Sequence, residues 1–210
     1  MTLQAQQISC VRGERQLFGA IDVALDAGDA LRLAGANGSG KTSLLRILAG
    51  LLAPEAGEVR WQGQAVASCR DTYHAALIYI GHGAALKDDL LAWENLVCAQ
   101  ALAGRDLTEA QARAALHQAG LGRAAGLPAR VLSQGQRKRL ALARLACNPH
   151  TTLWLLDEPF SALDAAASAA LAATIDAHLA RGGMLVYTTH QDVALKPRRA
   201  LALDLDGARA

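Results

Sequence analysis

Residues 35–42 read Gly35-Ala36-Asn37-Gly38-Ser39-Gly40-Lys41-Thr42, which fits the pattern G-x-x-x-x-G-K-S/T in full. The stretch Leu31-Arg32-Leu33 predicts a short strand before this loop, and apolar residues at helical spacing after Ser43 predict a helix over 43–49. Glycines let the backbone curl so that several N–H groups point inward, and the helix N-terminus adds the positive end of its dipole. The stretch therefore predicts a phosphate-binding loop in an α/β fold, in which Lys41 reaches the β- and γ-phosphates and Thr42 binds Mg²⁺.

Two carboxylates, Asp157 and Glu158, follow the continuous apolar run 153–156. Such runs are typical of strands buried on both faces, and parallel sheets bind ligands at the carboxyl ends of their strands. Beside a phosphate loop, the pair predicts that Asp157 reaches the Mg²⁺ shell and that Glu158 orients the water that attacks the γ-phosphate. The two motifs together indicate a P-loop NTPase.

A third motif, Leu132-Ser133-Gln134-Gly135-Gln136, resembles the L-S-G-G-Q signature of ABC ATPases, with Gln134 in place of a glycine. A helix is predicted after it, over residues 137–147, so that Ser133 and the amides near Gly135 would form a second anion site. Residues 161–164, Ser-Ala-Leu-Asp, resemble the D-loop of the family. His190 follows an apolar strand, where the family has its switch histidine.

The order and spacing of these motifs resemble those of ABC transporter ATP-binding subunits over nearly the whole chain. The resemblance implies an α/β fold: a P-loop NTPase core with a mixed sheet, an antiparallel β subdomain and an inserted helical subdomain. It implies one ABC ATPase domain over 1–210, with the core and β subdomain in 1–86 and 147–210 and the helical subdomain with the signature in 87–146. It also implies a homodimer or pseudo-dimer that holds two ATP molecules with Mg²⁺.

The residues that the resemblance assigns are nucleotide contacts at Gly35, Ala36, Asn37, Gly38, Ser39, Gly40, Lys41 and Thr42, catalytic roles for Lys41, Glu158 and His190, Mg²⁺ ligands at Thr42 and Asp157, and contacts to the ATP of the partner subunit at Ser133, Gly135 and Gln136.

Several local features resemble the ATP-binding subunits of the bacterial haem exporter of cytochrome c maturation. They are Gly81-His82 with Leu86-Lys87, Trp61-Gln62-Gly63-Gln64, Ala141-Leu142-Ala143-Arg144-Leu145 and Thr188-Thr189-His190-Gln191. This resemblance implies an ATPase that is peripheral on the cytoplasmic face of the inner membrane and works with integral membrane subunits. The cargo would be haem; because it would meet the membrane subunits, no direct haem binding is expected in this chain.

Two positions depart from the family pattern. Gly83 stands where ABC ATPases usually have a glutamine that touches Mg²⁺ and relays the nucleotide state, and His82 is a candidate substitute. Arg12 stands where an aromatic residue usually stacks on adenine; a guanidinium plane can also stack on a base. We expect ATP hydrolysis to remain and coupling to be the function that Gly83 weakens.

Charge, cysteine spacing and hydropathy argue against a nucleic-acid-binding, a cysteine-ligated metal-binding and a membrane-spanning protein. A formal net charge of +2 does not suggest a nucleic acid partner, and the basic clusters 137–139 and 198–199 are interpreted as solvated faces or helix ends. The cysteines form no C-x-x-C pair, and neither a signal peptide nor a membrane-spanning run is recognised.

Three alternatives to the haem exporter function remain. They are an ATPase of another small-molecule or lipid exporter, a non-hydrolytic nucleotide-gated partner, and a soluble ABC protein that acts on DNA or ribosomes. The lack of sustained heptads disfavours the last of these.

Patterning predicts further elements. Short strands are expected over 3–33 with a turn at 26–29, and an exposed strand over 58–61. Helices are expected in the middle of the chain, one of them capped by Thr108. A strand over 152–156, a helix over about 165–180 and a strand over 184–189 complete the pattern.

Overall fold

The computed structural model describes residues 1–207, so the last three residues of the predicted core, 208–210, lie outside the described residues. The strands are β1 (Thr2–Arg12), β2 (Arg15–Asp26), β3 (Asp29–Ala34), β4 (Ala56–Trp61), β5 (Gln64–Ala65), β6 (Leu77–Ile80), β7 (Leu153–Leu156), β8 (Met184–Thr188) and β9 (Arg199–Asp204). The α-helices are α1 (Lys41–Leu48), α2 (Arg70–Ala76), α3 (Ala92–Leu102), α4 (Glu109–Gln118), α5 (Gln134–Ala143) and α6 (Ala165–Ala180). Three 3-10 turns lie at Val66–Ser68, Gly122–Ala124 and Ala129–Val131. The predicted α/β fold is confirmed.

Four strands form an antiparallel sheet in the order β2-β1-β4-β5. The prediction of short strands was wrong here, because β1 and β2 form a hairpin of 11 and 12 residues. The prediction that 58–61 is exposed was also wrong: Val59 and Trp61 are 8% and 2% exposed, since alternate residues of a strand face the core. Gln62 and Gly63, both at positive φ, make the two-residue turn to β5.

Five strands form a second sheet in the order β6-β7-β8-β3-β9. The pairs β7/β8, β8/β3 and β3/β9 are parallel. One apolar cluster packs side chains of both sheets with α1, and β7 and β8 are buried along their whole length, as their continuous apolar runs predict. Helix α2 and strand β9 are elements that the sequence patterns did not predict.

Helices α3, α4 and α5 pack around their own apolar cluster. Thr108 caps α4 as predicted, because its hydroxyl accepts from the Gln111 N–H while the Gln111 side chain bonds back. The predicted helix over 137–147 was wrong in its bounds, because α5 begins at Gln134 and ends at Ala143. The reason is a capping box between Ser133 and Gln136, which places the signature segment in the first turn of the helix.

The chain divides into two compact units. Among the described residues, the first unit comprises 1–79, 151–158 and 176–207, and the second comprises 80–150 and 159–175. The second unit contains α3, α4 and α5 and takes in the start of α6 as well. Within residues 1–207, no helix is both long and apolar enough to cross a membrane.

Candidate functional site

Three adjacent strands of the parallel sheet deliver the residues of the candidate site. Strand β3 lies next to β8, and β8 lies next to β7. Because these strands are parallel, their carboxyl ends meet at one edge of the sheet. Ala34, Leu156 and Thr188 are the last residues of the three strands, and the phosphate loop, Asp157 with Glu158, and His190 follow them.

The loop after β3 has the backbone that its sequence predicts. Gly35, Gly38 and Gly40 have φ values of 129°, 78° and 107°, which side-chain-bearing residues rarely adopt. A Cβ on Gly40 would lie 2.8 Å from the Phe18 ring, so this position needs glycine for space as well as for conformation. The loop is thus folded tightly against β2.

Helix α1 presents an open N-terminus beside this loop. Gly40 provides no side-chain cap, and the first turn contains no acidic residue. Lys41 Nζ donates to the carbonyls of Gly35 and Ala36 at 2.7 and 3.0 Å, which holds its positive charge over the start of the loop. The buried Ser39 Oγ has no hydrogen-bond partner among the described residues. Amides, helix dipole and ammonium together fit a bound polyphosphate.

The Thr42 hydroxyl and the Asp157 carboxylate lie together, as the sequence predicts. Thr42 Oγ1 donates to Asp157 Oδ2 at 2.7 Å, across 115 residues of sequence. Such hard oxygen ligands suit Mg²⁺, which usually keeps waters and substrate phosphates as its other ligands. These two residues could therefore hold the ion, although no cluster of three or more His, Cys, Asp or Glu side chains within 1–207 forms a metal site.

Glu158 and His190 also lie near each other. Their side chains approach to 3.5 Å between Glu158 Oε1 and His190 Nε2, and the carboxylate is 18% exposed against 61% for the imidazole. Glu158 has a φ of 48°, in the left-handed region that is unfavourable for residues with a Cβ. A constrained carboxylate next to a partly exposed histidine can orient a water molecule and move its proton.

The signature segment lies in the second unit. Ser133 Oγ accepts from the Gln136 N–H at 3.3 Å, and Gln136 Oε1 accepts from the Ser133 N–H at 2.8 Å. Gly135 lies close to the D-loop, because a Cβ there would be 2.8 Å from the carbonyl oxygen of Ala162. Ser133 is exposed, so the start of α5 is accessible to a ligand.

The structure also places the two departures from the family pattern. Arg12 is exposed at the end of β1 and pairs with Arg15 across the hairpin. Gly83 lies in the exposed segment after β6, where an added Cβ would meet no atom within 4 Å. His82 beside it is also exposed. An added Cβ at position 83 therefore displaces no neighbour.

A buried carboxylate supports the first strand of the site. Asp29, which begins β3, is 0% exposed and bonds Arg199 at 2.6 Å and Arg198 at 3.1 Å. Burial alone would raise the pKa of Asp29, but the N–H of Asp26 and the two guanidinium groups outweigh it and hold that pKa below its usual value. The interpretation of 198–199 as solvated charges agrees with their exposure, since the side chains of Arg198 and Arg199 are 60% and 47% exposed. The pattern did not reveal that both also pair with the buried Asp29 and so link the start of β9 to β3.

Sequence reasoning missed three contributors to the site. Asp206 Oδ2 accepts the N–H of Ala36 at 2.6 Å across 170 residues, and no local pattern signals such a contact. Phe18 packs beneath Gly40. Thr188 bonds both Asp157 and Glu158. It belongs to the stretch 188–191 that carries the family resemblance, but the resemblance assigns it no role, and a hydroxyl in an apolar strand is the signal for these contacts.

Known proteins share both sequence and fold with this chain. Its residues 18–161 match the family described as ABC transporter. The "Cytochrome c biogenesis ATP-binding export protein CcmA" of Aromatoleum aromaticum is 52% identical over 90% of this chain and 89% of its own length, and that of Pseudomonas aeruginosa is 44% identical over 96% and 98%.

Among solved structures, an ABC transporter ATP-binding protein of Pyrococcus furiosus has a TM-score of 0.82 at 18% identity, with full coverage of both chains. A dimeric bacterial ABC transporter cassette has a TM-score of 0.82 at 22% identity and covers 97% of this chain and 94% of its own. These two show the shared fold. The profile match and the identity to curated relatives place the chain in the ABC transporter family and, within it, among the CcmA cytochrome c biogenesis ATP-binding export proteins.

Proposed function

We propose that this chain is the ATP-hydrolysing subunit of a membrane exporter used in cytochrome c biogenesis, and that the exported cargo is haem. The observation that carries the proposal is the convergence of the phosphate loop, Thr42–Asp157 and Glu158–His190 at one sheet edge. The relatives that match this chain over most of its length are named as ATP-binding export proteins of this process.

ATP would be held by the loop from Gly35 to Thr42. Its inward amides and Lys41 would bind the phosphates, and Arg12 would stack on the base. Thr42 and Asp157 would hold Mg²⁺, which offsets the negative charge of the phosphate oxygens. The support is the uncapped N-terminus of α1 and the 2.7 Å contact between the two oxygen ligands.

Glu158 would orient the attacking water and accept its proton, while His190 would contact the γ-phosphate. Lys41 and the loop amides would stabilise the charge that the transferred phosphoryl group carries in the transition state. The geometry supports these roles, because Glu158 follows directly on Asp157 and lies 3.5 Å from His190.

Two chains would enclose two ATP molecules, with the signature of one chain facing the phosphate loop of the other. Ser133, Gly135 and Gln136 would contact the ATP bound to the second chain. The accessible N-terminus of α5 supports this arrangement, and a solved neighbour of the same fold is a dimeric cassette. The second chain would be another copy or a related ATPase.

Integral membrane subunits would complete the exporter, and the chain would bind them at the cytoplasmic face of the bacterial inner membrane. Haem would contact those subunits rather than this chain, and no nucleic acid partner is proposed. Because Gly83 lacks the side chain that usually relays the nucleotide state, the relay would be weak or would pass through His82. A Gly83→Gln variant is expected to change turnover stimulated by the membrane partner more than basal turnover. A Gly83→Gln variant whose basal and partner-stimulated turnover both equal those of the parent would contradict this role.

The experiment is ATP turnover of the purified chain and of its Lys41→Ala and Glu158→Gln variants, with dimer formation followed by light scattering. Turnover should disappear in both variants, while Glu158→Gln should keep ATP-dependent dimers. Glu55→Gln is the matched control, because this exposed residue lies outside the site and should leave turnover unchanged. A parent that binds ATP but never hydrolyses it, even with its membrane partner, would instead indicate a nucleotide-gated subunit.

A further inference from the structure

Thr188 is the last residue of β8, and it is 0% exposed. The preceding residue, Tyr187, pairs with Leu156, the last residue of β7. Thr188 therefore lies beside Asp157, which directly follows β7. The neighbouring residues of β8 are buried and mostly apolar, and valine would have the same shape at this position. A buried hydroxyl is unfavourable unless it is hydrogen-bonded, so its partners are informative.

The Thr188 hydroxyl bonds two groups of the hydrolytic site at once. It accepts the backbone N–H of Glu158 at 2.7 Å and donates its own hydrogen to Asp157 Oδ1 at 2.8 Å. A threonine hydroxyl has a single hydrogen to donate, and here that hydrogen goes to the carboxylate. The other oxygen of Asp157 accepts from Thr42. Thr42, Asp157, Thr188 and Glu158 therefore form one continuous chain of hydrogen bonds.

The bond to Glu158 fixes an unfavourable backbone. The φ of 48° at Glu158 persists only where surrounding groups hold it. This φ sets the direction in which the Glu158 side chain leaves the backbone, and the N–H that Thr188 binds belongs to the same residue. Loss of the bond between Thr188 and the Glu158 N–H would therefore change the direction of the Glu158 side chain without any change to its carboxylate.

We propose that Thr188 is a positioning residue for ATP hydrolysis: its hydroxyl aims the Glu158 carboxylate and fixes the rotamer of Asp157. This inference rests on the proposed function, because it assumes that Glu158 acts on the attacking water. The hydroxyl does not reach the substrate, and its effect passes through the two carboxylates.

The test compares Thr188→Val with Thr188→Ser in the purified full chain. Valine keeps the shape and removes both hydrogen bonds, whereas serine keeps the hydroxyl. Thr188→Val should lower kcat for ATP at least about tenfold, since small misplacements of reacting groups have large effects on rate. Its KM for ATP and its ATP-dependent dimers should stay near those of the parent, and Thr188→Ser should recover most of the turnover. Thr152→Val is the matched control, because Thr152 precedes β7 at the opposite end of the same sheet.

Parent-like turnover in Thr188→Val would overturn the inference, and so would an equal loss in the valine and serine variants. Loss of ATP binding and of the dimer in Thr188→Val would also overturn it, because that result indicates a general structural role. Failure of the proposed function is recognised separately, as equal turnover in the parent and in Glu158→Gln.

Discussion

The stability of the sheet that carries the site should depend on pH through one buried histidine. His178 of α6 is 0% exposed and stacks on Trp154 of β7, with ring centroids 3.8 Å apart and planes at 8°. Its Nε2 lies 3.1 Å from the carbonyl oxygen of Met184, which suits the neutral ring with a hydrogen on Nε2. Burial lowers the pKa of His178 to about 4, and the nearby charge of Arg181 acts in the same direction, against the hydrogen bond.

The direction of this pH dependence follows from the pKa of His178 in the unfolded chain and in the folded chain. The unfolded chain binds a proton at this histidine below a pKa of about 6.5, whereas the folded chain does so only near 4. Between these values the unfolded state holds more protons, so the stability that the neutral ring provides is present at pH 7 and is lost as the pH falls. From pH 7 to pH 5 this group alone should remove about 2 kcal/mol from the free energy of unfolding.

The assay is urea unfolding at pH 7 and pH 5, followed by circular dichroism. In a His178→Gln variant, the loss of free energy of unfolding between pH 7 and pH 5 should be about 2 kcal/mol smaller than in the parent. This holds whatever the stability of the variant at pH 7. A His150→Gln control, at an exposed position, should keep the loss that the parent shows. If the His178→Gln variant loses as much stability on acidification as the parent, the reasoning about the buried neutral ring is refuted.

Two further predictions concern the phosphate loop. Gly40→Ala should lower the free energy of unfolding by about 3 kcal/mol, because the new Cβ would have an unfavourable φ and would lie 2.8 Å from the Phe18 ring. Denaturant unfolding checks this, with Gly83→Ala as the control that meets no neighbour. Asp206→Ala should lower stability by about 1 kcal/mol, since the N–H of Ala36 loses a charged acceptor, and Asp206→Asn should lower it less.

Different results would contradict these two predictions. Equal stability of the Gly40→Ala and Gly83→Ala variants would mean that the loop adjusts to a side chain at position 40. Equal loss in the alanine and asparagine variants of Asp206 would mean that its charge, rather than its acceptor oxygen, contributes to stability.

Some parts of the site depend only on residues close together in sequence, such as a single turn or the end of a single strand. Contiguous motifs predicted these parts. The loop from Gly35 to Thr42 has the predicted strand before it and helix after it, because glycine φ values and the helix start depend on neighbouring residues. The helix over 165–180 was predicted with its observed bounds. The roles of individual site residues remain predictions.

Contacts between distant residues could not be predicted in the same way. Asp206 and Ala36 are 170 positions apart, and their bond exists because β9 lies next to β3. Arg198 and Arg199 at the start of β9 show the same limit: their sequence predicts exposed charges, which they are, but it does not reveal their buried partner Asp29. The error in the start of α5 was local, because the capping box between Ser133 and Gln136 was present in the sequence and not recognised.

The residues proposed for ATP hydrolysis and the position proposed for coupling to the membrane subunits lie in different units. The groups proposed to act on ATP within one chain, from Lys41 to His190, lie in the first unit at the ends of adjacent strands. Gly83 lies in the second unit, at an exposed position where an added Cβ would meet no atom within 4 Å. Thr188, in contrast, lies in the first unit and bonds both Asp157 and Glu158. For this reason we expect position 83 to affect how ATP hydrolysis is transmitted to the membrane subunits, and Thr188 to affect the rate of hydrolysis itself.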